Sequence, residues 1–407
     1  MKNKSKIPLV INDMSYPAIA AKDWNLVFRV GFYFKENIDV SVLKTAVIDM
    51  RERFPSFFAN IKKGFFKYYL IHNHNVDIIE KENGYCRPFD LKSFSKPNIR
   101  IIYNENFLAV ELFHAISDGY GAMEFLKCLT ARYLELKNVN VVYGENVINV
   151  KSTAAEEETE DASKKYRTKK FKVYKLPPAY QYAPLQKSAG LIVSSRDFSI
   201  EKIKARAKKY NASVTQYLQS ALHCALYKSG KSREKILTGV KVTISLRKMF
   251  PTKTLRNFSL YTNIQCQTDD NATIESVIKD TQDLFNNGTS KSRMQNFINA
   301  TTAIFASPFW RILLLFTKNI ITRRFYKKGQ KEYSVTLSNF GIIQLPQALQ
   351  NEVTGSQFII SDMPDKAVNC TAVSTADNLA LFISSKDADN DFANCFFELI
   401  NKECSEI

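Results

Sequence analysis

Cysteine patterns that hold a disulfide framework or a zinc cluster are missing from this 407-residue chain. Its seven cysteines are scattered, odd in number and contain no C-x-x-C pair. Stapled secreted domains and zinc sites need paired or closely spaced thiols. We therefore expect a reducing, cytoplasmic location and no bound metal.

Long apolar runs are also missing. No stretch approaches the roughly 18 consecutive apolar residues that span a bilayer, and the nearest candidate, Phe309 to Phe316, is interrupted by Arg311. The first fourteen residues have a basic start but lack the apolar run and cleavage site of a signal peptide. These absences predict a protein that is soluble or peripheral to a membrane.

Acidic residues are too few to balance the basic ones. The chain has 57 Lys and Arg against 40 Asp and Glu, a net charge of +17, and such an excess attracts anionic partners. However, no zinc finger, P-loop or aromatic RNA-binding strand motif is present, and we expect no nucleic acid partner. A membrane surface and a phosphorylated cofactor remain as the anions that such a charge would attract.

What the chain does have is the composition of a globular α/β protein, with 45% hydrophobic and 24% charged residues. Strand-like and helix-like patterns are mixed in both halves. Between them, residues 151–187 lose the apolar periodicity and carry an acidic cluster, a basic run and prolines. We predict a first domain over 1–150, a linker over 151–187 and a second domain over 188–407.

Several elements are predicted from local patterns. Val27–Phe34 and residues 107–114 are rich in aromatic and β-branched residues, as strands are. Asp39 precedes an apolar pattern with helical spacing, and Ser213 or Thr215 precedes a second one. We expect a helix to begin after each of these caps.

His114 is the most informative of the four histidines. It follows the apolar strand 108–113 and precedes a tight turn with Asp118 and Gly119 before a helix. That arrangement places polar side chains at the carboxyl edge of a sheet, where ligand crevices form, and an imidazole there can act as a general base. Asp118 either orients the imidazole or pairs with an arginine and holds the turn. A core histidine followed by ordinary turn residues is the alternative for the whole segment.

The residues around His114 carry a family resemblance. Residues 114–119 match the motif His-x-x-x-Asp-Gly, and further matching segments occur in the expected order: ELFHAISDGYGAMEFL (111–126), SLR (245–247), LRNF (255–258), YTN (261–263) and SNFG (338–341). The chain resembles the acyltransferase superfamily that includes chloramphenicol acetyltransferase, BAHD acyltransferases, wax ester synthases and the condensation domains of peptide synthetases. It is most similar to bacterial alcohol acetyltransferase-like proteins.

The resemblance implies two chloramphenicol acetyltransferase-like α/β subdomains that form a pseudo-dimer with a tunnel along their interface. His114 would be the general base for transfer of an acyl group from acyl-CoA, a cosubstrate, to a hydroxyl. Asp118 and Arg247 would form a structural salt bridge, and Gly119 would leave room for substrate. The implied candidates for the oxyanion site or tunnel wall are Ser338, Asn339, Asn263 and Ser117.

Departures from the family pattern narrow the function. Phe113 stands where condensation domains carry a second histidine, and the plant-type DFGWG segment is absent. No G-x-S-x-G elbow is present either, which favours direct attack without an acyl-enzyme.

The alternatives to this function are a carrier-protein donor, an amine acceptor, or a degenerate module that binds a membrane or a partner. Because one chain completes the site, a monomer is expected.

Two other features have competing interpretations. His72 and His74 could place two imidazoles on one strand face, but no third metal ligand is near in sequence, whereas His223 lies in an apolar helix pattern. The segment 307–329 combines an apolar aromatic cluster with six basic and no acidic residues. It fits a helix on an anionic membrane surface and fits equally a subdomain helix with its apolar face inward.

Overall fold

The computed structural model describes residues 6–20, 24–144, 146–168, 170–230, 234–361, 368–375 and 377–405. Residues 1–5, part of the stretch considered for a signal peptide, lie outside these ranges. The described strands are β1 Lys6–Pro8, β2 Val27–Phe34, β3 Ala59–Lys63, β4 Tyr68–His72, β5 Ile79–Lys81, β6 Ile99–Asn104, β7 Phe107–Phe113, β8 Lys187–Ser199, β9 Ile236–Ser245, β10 Ser259–Thr268, β11 Val335–Ile342, β12 Val353–Ile360, β13 Val368–Thr375 and β14 Asn378–Asp387.

Helices alternate with these strands, which confirms the predicted mixed α/β class. The helices are α1 Tyr16–Ile19, α2 Val40–Arg53, α3 Gly119–Leu136, α4 Ala162–Lys165, α5 Ile200–Lys209, α6 Val214–Ser229, α7 Ile274–Gly288, α8 Lys291–Ala306, α9 Pro308–Ile312, α10 Leu315–Gln330, α11 Gln347–Glu352 and α12 Asp391–Ser405. Short 3₁₀ turns at Ile11–Asp13 and Leu246–Lys248 flank the site described below.

The first lobe is built on a five-stranded sheet in the order β12-β2-β7-β6-β5. Its central strands β2 and β7 are antiparallel, with Val27 opposite Phe113. Helix α2 begins as predicted, because the Asp39 carboxylate accepts hydrogen bonds from the N–H groups of Ser41 and Val42. A separate three-stranded sheet, β1-β4-β3, lies alongside.

The second lobe contains a six-stranded sheet in the order β10-β9-β11-β13-β14-β8. Strand β11 is parallel to both neighbours, and the other pairs are antiparallel. Helix α6 packs against this sheet. Of the two predicted caps, Ser213 is the N-cap residue and Thr215 is not. The Ser213 hydroxyl and the Gln216 side chain cap each other's backbone N–H groups in a capping box.

One strand of the predicted domain range 188–407 crosses to the sheet of the first lobe. Strand β12 belongs to that range in sequence but pairs antiparallel with β2 in the first lobe's sheet, with Phe358 opposite Val30. The predicted linker 151–187 is also more than a surface connection. Within it, Glu158 forms an ion pair with Arg53, and Asp161 accepts a hydrogen bond from the Ile11 N–H. Both segments tie the lobes together.

Candidate active site

His114 is the first residue after β7 and lies where the two lobes meet. Its N–H donates to the Leu26 carbonyl at 2.9 Å, and its carbonyl accepts from the Asn257 side-chain amide at 2.7 Å. Because Asn257 belongs to the second half of the chain, residues from both halves fix the backbone of His114.

The imidazole of His114 is half-buried between two aromatic rings. Tyr16 stacks on it with centroids 4.5 Å apart and planes 17° apart, and Phe28 approaches it to 5.0 Å in a tilted arrangement. Burial lowers the pKa of His114 below its ordinary value of 6.5, and the negative charge of Asp118 offsets this only in part. The ring is therefore neutral near pH 7 and can accept a proton.

One ring nitrogen of His114, Nδ1, is buried, and within the described part of the chain no group forms a hydrogen bond of good geometry with it. A buried polar atom of this kind is costly and calls for an explanation such as a bound ligand or a catalytic role. This geometry differs from that of a core histidine whose two nitrogens are both bonded to the main chain.

Asp118 pairs with Arg247 across the lobes, the second of the two roles that the sequence left open for it. The two guanidinium N–H groups reach the two carboxylate oxygens at 2.8 and 3.2 Å. The same carboxylate caps α3 through the Gly121 N–H at 3.1 Å and accepts from the Phe258 N–H at 2.8 Å. Asp118 is 2% exposed, so this is a buried, bidentate ion pair that holds the turn after His114.

A loop of the second lobe, residues 254–258, wraps around the start of α3. Arg247 donates to the carbonyls of Thr254 and Arg256, and the Ser117 hydroxyl donates to the Leu255 carbonyl at 2.5 Å. Ser117 is fully buried. This burial argues against the tunnel-wall role expected for Ser117, whose hydroxyl instead joins the two lobes.

The two glycines at the start of α3 allow close approach of other groups. A Cβ on Gly121 would lie 2.1 Å from Ser117 Oγ and 2.2 Å from the Leu255 oxygen, so this position excludes any side chain. A Cβ on Gly119 would lie 3.1 Å from the Phe340 ring. The space beside Gly119, expected to admit substrate, is therefore occupied by Phe340.

The remaining oxyanion candidates separate into three environments. Ser338 is half-buried, and its Oγ accepts a hydrogen bond from Thr243 at 2.8 Å. The Asn339 side-chain amide donates to the Thr215 hydroxyl on α6, and its oxygen accepts from the Gly341 N–H. Both partners lie in the second lobe. Asn263 donates to Glu332 at 3.3 Å and lines a groove on the second lobe. Ser338 lies two residues before Phe340 on β11, and the Phe340 ring lies beside Gly119.

Three residues near His114 were not assigned a role from sequence. Tyr16 stacks on the imidazole, Asn257 holds its carbonyl, and Lys241 carries a positive charge that acts on its pKa. Asn257 also donates to Asp13, which pairs with Arg256. The sequence signals were the LRNF segment, which contains Asn257, and a lysine between Val240 and Val242 in an apolar strand.

Two cavities flank this region. The first, which we call the aromatic cavity, has a volume of about 390 Å³ and includes Tyr16, Lys241 and Tyr261 in its wall. The second, the basic groove, has a volume of about 1010 Å³ and is lined by Asn263, Arg293 and lysines of the 170–175 segment. Tyr261 and Asn263 are two residues apart on β10, so the two cavities adjoin along one strand. Tyr16 connects the aromatic cavity to His114.

The other histidines lie apart from this site. His72 Nδ1 bonds the Pro55 carbonyl oxygen at 3.0 Å, and its ring contacts His74. His223 is fully buried with Nδ1 2.6 Å from the Thr238 hydroxyl, and burial lowers its pKa to about 3. In the described ranges, no cluster of three or more His, Cys, Asp or Glu side chains is arranged to hold a metal ion.

Comparison with known proteins was negative by sequence and positive by structure. No family model and no curated protein matches the chain. The first condensation domain of the calcium-dependent antibiotic synthetase matches with a TM-score of 0.65 at 11% identity, over 99% of this chain and 96% of that one. Polyketide synthase associated protein 5 from Mycobacterium tuberculosis matches with a TM-score of 0.63 at 13% identity, over 99% and 100%.

An acetyltransferase shares the architecture as well. The trichothecene 15-O-acetyltransferase from Fusarium sporotrichioides matches with a TM-score of 0.54 at 10% identity, over 96% of this chain and 93% of that one. At these identities the likeness establishes the fold. The chain has the two-lobed, pseudo-dimeric α/β fold of this condensation domain and this acetyltransferase.

Proposed function

We propose that the protein transfers an acyl group from acyl-CoA to a hydroxyl group, with His114 as the general base. The observation that carries this proposal is the half-buried, neutral imidazole of His114 at the lobe boundary, whose buried Nδ1 forms no hydrogen bond of good geometry within the described ranges. The shared fold with an acetyltransferase supports the same class of reaction.

The proposed reaction is a direct displacement. His114 removes the hydroxyl proton as the acceptor oxygen attacks the thioester carbonyl. The new C–O bond forms, the C–S bond breaks, and the proton on His114 passes to the departing thiolate. Ser338 is our candidate for stabilising the oxyanion, because its Oγ accepts from Thr243 and its own hydrogen remains to be donated.

The basic groove is the proposed site for the coenzyme A phosphates. Its described lining contains Lys170, Lys172, Lys175 and Arg293 and no acidic residue. The lysine segment is fixed to α8, because the Asn296 side chain bonds both the N–H and the carbonyl of Lys172 at 2.6 and 2.8 Å. A fixed set of cations without counter-ions favours phosphate binding.

The donor assignment is tested with the double variant Lys170→Glu/Lys172→Glu. We expect its KM for acetyl-CoA in a thiol-release assay to rise by about tenfold or more, the scale of one lost charge-assisted hydrogen bond. Its KM for S-acetyl-pantetheine, which has no phosphates, should stay unchanged. Lys44→Glu, on the exposed side of α2, is the matched charge reversal.

The results separate CoA from a carrier protein as donor. Equal KM values for acetyl-CoA in the variant and the wild type would remove the basic groove from the proposal. Thiol release from an acetyl-carrier protein but not from acetyl-CoA would replace the donor altogether, and amines tested beside alcohols identify the acceptor class.

We further propose that one face of the protein binds an anionic membrane surface. Within the described residues, no helix has both the length and the apolar character needed to cross a bilayer. Apolar residues from two separate segments are nevertheless exposed on that face: Phe65, Phe66, Phe309, Ile312, Leu314 and Phe316. We call this set the aromatic surface.

Hydrogen bonds hold the two segments of the aromatic surface together. The Leu315 N–H donates to the Phe65 carbonyl at 2.9 Å, and Lys318 Nζ donates to the Phe66 carbonyl at 2.8 Å. Exposed Lys62, Lys63 and Arg311 lie in the same segments. The exposed apolar residues of 307–329 disfavour the inward-facing interpretation, and the basic charge favours anionic lipid.

The triple variant Phe65→Ser/Phe309→Ser/Phe316→Ser tests this surface by vesicle sedimentation. We expect the wild type to pellet with phosphatidylcholine vesicles that contain phosphatidylserine, and the variant to bind at least about tenfold more weakly, since each buried phenyl ring contributes about 1.5–3 kcal/mol. Val142→Ser, another exposed apolar position, should bind like the wild type. Binding that is equal in variant and wild type, or no binding by either, would refute the surface.

A further inference from the structure

The aromatic cavity is enclosed by side chains from both lobes. Residues 11–16 of the first lobe form one side, strands β9 and β10 another, and helices α8, α9 and α10 with Tyr333 complete the wall. The rings that line it include Tyr16, Tyr261, Phe297, Trp310, Tyr326 and Tyr333. Its volume of about 390 Å³ lies in the range of small-molecule sites.

Lys241 is the one charged residue in the described lining of this cavity. It is 7% exposed, and its Nζ lies 4.7 Å and 4.9 Å from the ring centroids of Tyr261 and Tyr333. Within the described residues it forms no ion pair, and the nearby Glu332 instead accepts a hydrogen bond from Asn263. Burial lowers the pKa of Lys241 to about 8.

A buried ammonium group without a counter-ion is expensive. Its desolvation costs several kcal/mol, whereas a cation–π contact returns about 0.5–2 kcal/mol. A methionine would pack against the same rings without that cost. The neighbouring Val240 and Val242 are core residues, so Lys241 points to the opposite, cavity side of the strand. The charge is best explained by an anionic group that enters the cavity.

We infer that the aromatic cavity binds the acceptor as an apolar hydroxy acid, with Lys241 pairing with its carboxylate and the aromatic rings enclosing its body. The role of the bound acid as acyl acceptor rests on the proposed function, whereas binding of the acid at Lys241 does not require that function. Tyr16 lines the cavity and stacks on His114. A hydroxyl on the bound acid is thereby brought close to the proposed base, and the adjoining basic groove is left for the donor.

The other titratable groups that face Lys241 do not compete for the carboxylate. Burial raises the pKa of Tyr16, Tyr261, Tyr326 and Tyr333, and His114 is neutral near pH 7. Glu332 is the one carboxylate whose charge acts on Tyr261, and it repels rather than attracts an anion. Carboxylate binding should therefore weaken as the pH rises above about 8 and Lys241 loses its proton.

The test compares phenyllactate with its uncharged amide, phenyllactamide, by tryptophan fluorescence. Trp310 lines the cavity and Trp24 contacts Tyr326, so both tryptophans report on occupancy. We expect the wild type to bind phenyllactate about tenfold or more tightly than the amide. Lys241→Met should remove that preference and keep the affinity for the amide, which also shows that the variant is folded. Lys241→Arg should keep the preference.

The outcomes separate this inference from the proposed reaction. No preference for the acid in the wild type, or an undiminished preference in Lys241→Met, would overturn the carboxylate site. The same titration in His114→Ala, without any acyl donor, should retain the preference although turnover is lost. An intact preference in a wild type that transfers no acyl group would leave the site standing and remove the proposed reaction.

Discussion

Arg247→Met is expected to lower the free energy of unfolding by about 3–5 kcal/mol, the cost of removing one partner from a buried ion pair. The side chains of Arg247 and Asp118 are 8% and 3% exposed. Methionine would fill much of the space but leave the Asp118 carboxylate with only backbone N–H groups. The carbonyls of Thr254 and Arg256 would also lose their donor. Urea unfolding followed by circular dichroism measures the loss.

The double variant Asp118→Asn/Arg247→Met separates charge from packing. Removing both charges leaves no unpaired ion, so it should cost less than the sum of the two single variants, as coupled neighbours do. Glu275→Gln, which breaks the exposed pair with Lys279, should unfold like the wild type because exposed pairs contribute little. If the losses of unfolding free energy in the two single variants add up in the double variant, the pair does not hold the lobes together. An Arg247→Met variant that unfolds at the wild-type urea midpoint would show the same.

Local elements of the fold could be predicted because their signals are local. Strand β2 begins and ends where its aromatic and β-branched pattern does, and α2 begins after Asp39, whose carboxylate reaches N–H groups only two and three residues ahead. The cap of α6 was narrowed to two candidates, and the capping box with Gln216 selects Ser213. In each case the deciding contact lies within a few residues.

The strand crossing could not be predicted for the opposite reason. Strand β12 pairs with β2, more than three hundred positions away in the sequence, and nothing in residues 353–360 identifies which sheet they join. The domain division at residue 188 followed composition, which records the linker but not the return of the chain to the first lobe. Pairing between distant strands depends on the assembled fold.

The residues of the candidate site likewise include some that a local sequence pattern predicts and others that only the assembled fold brings together. The motif located His114 and Asp118, the SLR segment located Arg247, and the structure pairs Arg247 with Asp118. Ser117 was expected at the oxyanion site or tunnel wall, but its hydroxyl bonds the Leu255 carbonyl, and Phe340 lies beside Gly119, which was expected to leave room for substrate. Asn257 and Lys241 act on His114 from the second lobe, and Tyr16 stacks on it from almost a hundred positions earlier in the chain, and no spacing in the sequence records these relations.

His114→Ala is expected to reduce turnover by about 10²- to 10⁴-fold, the usual contribution of a general base. Alanine removes the group that takes the proton but leaves the backbone bonds to Leu26 and Asn257 in place. The unfolding midpoint and the KM for acetyl-CoA should change little. His74→Ala, at an exposed position, should retain wild-type turnover. Thiol release from acetyl-CoA with a panel of alcohols measures both variants.

The pH dependence of kcat/KM for the best acceptor in that panel tests the role of His114 most directly. Because burial lowers the pKa of His114, the base stays neutral to a lower pH than a free imidazole, and the acid-side decline of the wild type should have its midpoint below pH 6.5. The residual activity of His114→Ala should lack that decline. The same decline in both proteins, or full activity in the variant, would contradict the assignment of His114 as the base.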